Sequence, residues 1–149
     1  TWMSGGRYEW EINNALGNNG VNWDLVQING SLDLVGLSAT DAFVIAIRSL
    51  FESGGSPGVA TGFDPQSSYR FTILTTTSGI TGFDPSDFRL DLTGFANDDL
   101  GDSYWQLQEW NNGLDLVYNS APVPEPGGIL LIAAGAFVTL SRRRRRVHG

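Results

Sequence analysis

A chain of 149 residues that is 41% hydrophobic, with five Trp, eight Phe and four Tyr, carries enough apolar surface to build one folded core and is not a disordered segment. It has no Cys and a single histidine, His148, next to its end, so disulfides, thiolate metal sites and imidazole-assisted nucleophiles are excluded from the body. Before Pro122 four arginines stand against fifteen acidic residues, a net charge of −11, and such a surface repels phosphate backbones and excludes nucleic acid as a partner.

The chain opens Thr1-Trp2-Met3-Ser4-Gly5-Gly6 without a charged and then apolar leader, and it reads as the C-terminal part of a longer protein. From Arg7 to Ile12 apolar and charged residues alternate strictly, which predicts a half-buried strand with Tyr8, Trp10 and Ile12 on one face and Glu9 and Glu11 on the other. Asn29-Gly30, set between two apolar runs, predicts a tight hairpin, because that turn needs positive φ at its central residues. Leu37 to Ala42 has room for one short turn of helix. Phe43 to Leu50, Tyr69 to Thr77 and Phe88 to Leu92 are rich in β-branched and aromatic residues and are bounded by Gly, Pro or Asp, as strands are. The string Gly-Phe-Asp-Pro occurs at Gly62 to Pro65 and again at Gly82 to Pro85, each time before a strand, and reads as a turn whose Phe plugs the core. A second hairpin is predicted at Asn112-Gly113, between Trp105 to Trp110 and Leu114 to Tyr118.

These signals predict an all-β domain over residues 1–119, read as an antiparallel β-sandwich, with the end cap of a β-helix or solenoid as the alternative. Residues 120–128 form a Pro-rich linker that cannot join a central strand. Residues 129–141 are uncharged and apolar, and Arg142, Arg143, Arg144, Arg145 and Arg146 follow at once. Twelve residues from Ile129 to Leu140 span about 18 Å, short of a hydrocarbon core of roughly 30 Å, but flanking arginines snorkel and the bilayer thins. The order of apolar run and arginines is that of a short transmembrane helix whose basic tail, 142–149, stays cytoplasmic and leaves the acidic body outside.

Val123-Pro124-Glu125-Pro126, the apolar run and the arginine cluster together resemble the PEP-CTERM sorting domain of Gram-negative bacteria. The resemblance implies recognition of Pro124, Glu125 and Pro126 by an exosortase-type membrane protease, tethering at the inner membrane, and delivery to the cell surface or into a matrix of exopolysaccharide. Gly5 to Gly17 and Gly20 to Asp24 resemble the terminal region of autotransporter-associated β-strand repeat proteins, which implies a large surface protein with repeats upstream.

Three groups in the body are candidate sites. Glu9 and Glu11 lie about 6.8 Å apart on one strand face, a spacing open to a glycosidase pair, although an alternating strand needs polar residues on its wet face in any case. Asn97, Asp98, Asp99 and Asp102 gather oxygens in one loop and are candidates for calcium, but they lack the EF-hand spacing and its terminal Glu, and a solvated acidic turn is the simpler reading. Trp10, Tyr104, Trp105 and Trp110 are candidates for a sugar-stacking platform or for ordinary core packing. The expectation is a protein without catalysis, metal or cofactor. It is either a structural or adhesive surface module or a carbohydrate-binding module, and the two differ in whether the aromatic rings are exposed together.

Overall fold

The computed structural model describes residues 2–97 and 104–120. The strands are Arg7–Ile12 (β1), Val26–Ile28 (β2), Leu32–Asp33 (β3), Phe43–Ser49 (β4), Tyr69–Thr76 (β5), Ile80–Thr81 (β6), Phe88–Gly94 (β7), Tyr104–Trp110 (β8) and Gly113–Asn119 (β9). They form three sheets, ordered β1-β4-β7, β2-β5-β9-β8 and β3-β6. The chain thus visits three faces in turn and then visits them again, and β4, β5 and β6 each lie parallel beside the strand one turn earlier. β7 lies parallel to β4 and opens a third turn. The next two strands break the pattern: β9 runs antiparallel to β5, and β8 runs antiparallel to β9 on its far side.

The described residues are all-β, as the alternation predicts, with two 3-10 turns as their helical elements, at Ala39–Asp41 and Pro85–Asp87. The antiparallel sandwich is corrected by the pairing, in which the ladders among β1 to β7 are all parallel. Alternation marks which face of a strand is buried and carries no information about the direction of its neighbour. The Asn29-Gly30 hairpin is also corrected. Gly30 has φ 134°, but Asn29 does not share a positive φ, and β2 and β3 enter different sheets. Asn29-Gly30 is a corner that stacks on the corner one turn later, with Gly30 N–H donating to Thr77 Oγ1 at 2.8 Å and Ser78 N–H donating to the Gly30 carbonyl at 2.9 Å.

The predicted second hairpin exists one residue earlier than its Asn-Gly signal. Asn111 and Asn112 both have positive φ, 48° and 59°, and Trp110 pairs with Gly113 across the two-residue loop. Gly113 is instead the first residue of β9, where a Cβ would stand 2.4 Å from the Leu74 carbonyl oxygen of β5. Glycine is needed there for close approach of two backbones.

The core runs through the middle of the coil. Trp10 and Ile12 of β1, Ile45 and Ile47 of β4, Phe71 and Ile73 of β5, and Leu114, Leu116 and Tyr118 of β9 are each at most 1% exposed. Each such side chain removed from water contributes about 1.5 to 3 kcal/mol. Gly62 and Gly82, with φ near 71°, set both Gly-Phe-Asp-Pro turns. Asp64 and Asp84 accept hydrogen bonds from the Gln66 and Ser86 N–H groups, both at 2.9 Å. Phe63 packs against Tyr69 and Tyr118, and Phe83 packs against Phe88, so each Phe plugs the core as expected. At the start of the first face Trp2 stacks on Phe43 at 4.5 Å, and Phe43 meets the edge of its register partner Phe88 at 6.0 Å.

Candidate functional site

Strand β1 places Glu9 and Glu11 on the outer face of the first sheet, where they border a cleft of about 470 Å³ with Arg48 of β4. Arg48 Nε lies 2.8 Å from Glu9 Oε1, and Arg48 is the register partner of Glu11. The far walls, Gly55 to Gly58 and Thr93 to Ala96, contribute no carboxylate. A glycosidase pair must flank the scissile bond from two sides, whereas both acids here stand on one wall with a guanidinium beside them. The arrangement serves cross-strand charge pairing on a solvated sheet face.

The calcium candidates divide. Asn97 is 9% exposed, and its side chain is committed to Ala60, accepting from the Ala60 N–H at 2.9 Å and donating to the Ala60 carbonyl at 3.0 Å. It acts as a missing strand partner, with its buried oxygen engaged by the Ala60 N–H. Asp98, Asp99 and Asp102 lie outside the described residues. Among the described residues no cluster of three potential metal ligands occurs.

The aromatic candidates divide as well. Trp10 is fully buried, with its indole N–H donating to the Asp24 carbonyl at 2.9 Å. Trp105 is 9% exposed and packs against Phe63, Phe71, Phe95 and Tyr118. Tyr104 and Trp110 are 56% and 58% exposed. They start and end β8, and the alternation of that strand puts them on its outer face with Gln106 and Gln108 between them. A residue not singled out by the sequence, Arg70 of β5, reaches across this face. Its guanidinium donates to Asp115 Oδ2 at 2.8 Å and Gln108 Oε1 at 3.2 Å, and it sits 5.2 Å from the centroid of the Trp110 ring. Asp115 is only 1% exposed, so the pair fixes the cation from beneath. The period-two string Tyr104, Gln106, Gln108, Trp110 was the available signal for this row.

Two acids outside these groups have carboxyls held low. Asp91 has its pKa lowered to about 2, by hydrogen bonds from the Thr93 hydroxyl and N–H and then by Arg7, which approaches to 3.0 Å from β1. Asp84 is lowered by the Ser86 hydroxyl and N–H. Tyr8 is shifted upward, chiefly by burial and secondarily by the charge of Asp24.

The described body ends where Ser120 is tied to the residue before β5, its N–H donating to Ser68 Oγ at 3.2 Å. Val123 to Pro126, the apolar run and Arg142 to Arg146 lie outside the described residues. Among the described residues no helix is long and apolar enough to cross a membrane. Residues 122–146 match the PEP-CTERM protein-sorting motif. No curated protein and no solved structure matches the chain. The match does not reach the body, and nothing supports the likeness to autotransporter-associated repeats. The chain carries a PEP-CTERM signal, which implies a secreted or cell-surface protein with a membrane-anchored tail, of the kind recognised by exosortase-type membrane enzymes.

Proposed function

We propose that this chain is a non-catalytic structural or adhesive module, tethered at the inner membrane of a Gram-negative bacterium by its tail and passed by exosortase-type processing to the cell surface or its surroundings. The sorting signal at 122–146 carries the reading. The body supports it by being acidic and by spending most of its tryptophans on packing. Its last two strands, which turn the parallel coil into an antiparallel hairpin, suit a capped end of a longer β-coil standing next to the anchor. Intact-mass spectrometry of the protein from membrane and released fractions of its host tests this. The expected released form ends near Val123 to Pro126. A mature protein that keeps Arg142 to Arg146 and stays in the membrane removes exosortase processing from the account.

A second reading, a carbohydrate-binding module, is favoured by one observation. Tyr104 and Trp110 are the exposed members of the aromatic set and share the outer face of one strand.

A further inference from the structure

We propose that the outer face of β8 is a binding site for an extended, uncharged, β-linked glycan chain, lying along the strand from Tyr104 to Trp110. The proposal rests on the second reading above and assigns it a site and a ligand class. Six residue steps separate the two rings, about 20 Å at the rise of a strand. A single sugar covers one ring, whereas a chain of several sugars reaches both. Aromatic faces stack on the apolar faces of pyranose rings, and between them Gln106 and Gln108 present amides that both donate to and accept from hydroxyls.

The row is held in place before any ligand arrives. Arg70 is clamped by Asp115 and Gln108 and lies against the Trp110 indole, which limits the freedom of a largely exposed ring. Preorganisation of this kind reduces the entropy lost on binding. The same clamp decides the charge of the ligand. Among the described residues the cation on this face is Arg70, which is neutralised by a buried carboxylate, and the body around it has a net charge of −11, so an anionic polysaccharide is repelled and a neutral one is not. The polar centre of the row also disfavours a protein partner, which would need a continuous apolar patch.

The test is calorimetric titration of the full chain in detergent micelles with cellohexaose, glucose and an alginate hexamer. Saturable binding of cellohexaose, with glucose at least about a hundredfold weaker and the alginate hexamer weaker than cellohexaose, is the expected pattern. Trp110→Ala should weaken cellohexaose binding by at least about tenfold, and Tyr104→Ala severalfold. Both side chains are more than half exposed, so the thermal midpoints of the variants should stay close to that of the parent. Absence of saturable cellohexaose binding, unchanged binding by Trp110→Ala, or tighter binding of the alginate hexamer overturns the proposal. Any of these leaves surface delivery untouched, since delivery is read from the mass of the released form.

Discussion

Asn97 does the work of a strand residue with its side chain. Its amide pairs with both backbone groups of Ala60, which is 1% exposed. Asn97→Ala leaves a buried N–H and a buried carbonyl without partners and is expected to cost about 2 to 4 kcal/mol, read as a lower denaturation midpoint in urea. Asp91 acts at the same scale through charge. Its carboxyl is held at about 2 by Thr93 and by Arg7, which reaches over β4 from the other side of the sheet. An acid whose folded pKa is depressed contributes stability above its unfolded value near 4, and loses it as the pH falls from there through about 2. Asp91→Asn should therefore flatten that part of the acid-unfolding profile while changing little between pH 7 and pH 6, and an unaltered profile would remove Asp91 from the acid response.

Among the elements, the β8–β9 hairpin makes the position of a turn measurable. With the loop at Asn111-Asn112, both residues hold a left-handed φ that glycine adopts without strain. Asn111→Gly should raise stability by up to about 1 kcal/mol, whereas glycine at a strand position would lower it by a similar amount. Gly113→Ala should cost about 1 to 3 kcal/mol, because the added methyl meets the Leu74 carbonyl oxygen. The sequence made this hairpin legible to within one residue, together with the buried face of β1 and both Gly-Phe-Asp-Pro plugs, since all of them are local patterns. The coil stood in the sequence only as the alternative to a sandwich, and its register was not legible. Its stacked partners are Arg7 with Val44, Val26 with Leu74, and Phe43 with Phe88, separations of 37, 48 and 45 residues. A repeat without a constant period leaves no periodic trace in the sequence. The arginine clamp on the outer-face row was hidden for a related reason, since Arg70 lies 38 residues from Gln108 and 45 from Asp115, and only the folding of β5 against β9 brings them together.

At the scale of the whole molecule, an acidic body and a basic end are separated by a linker and an apolar run too short to hold a membrane on length alone. Ile129 to Leu140 would cover about 18 Å of a core of roughly 30 Å, so the arginines must supply much of the retention. Near the anionic inner leaflet each arginine is worth about 1 kcal/mol, and five give on the order of 5 kcal/mol, a factor of a thousand or more in membrane occupancy. Replacing Arg142 to Arg146 by glutamine should therefore shift the chain from the membrane to the soluble extracytoplasmic fraction. If processing requires the tethered form, the shifted chain keeps its residues beyond Pro126, and its intact mass will show them. Glu125→Ala attacks the other half of the signal and should give the opposite separation, a chain that stays in the membrane but is not cleaved. Retention by the glutamine variant at the level of the parent would mean that the apolar run anchors the chain without its basic flank.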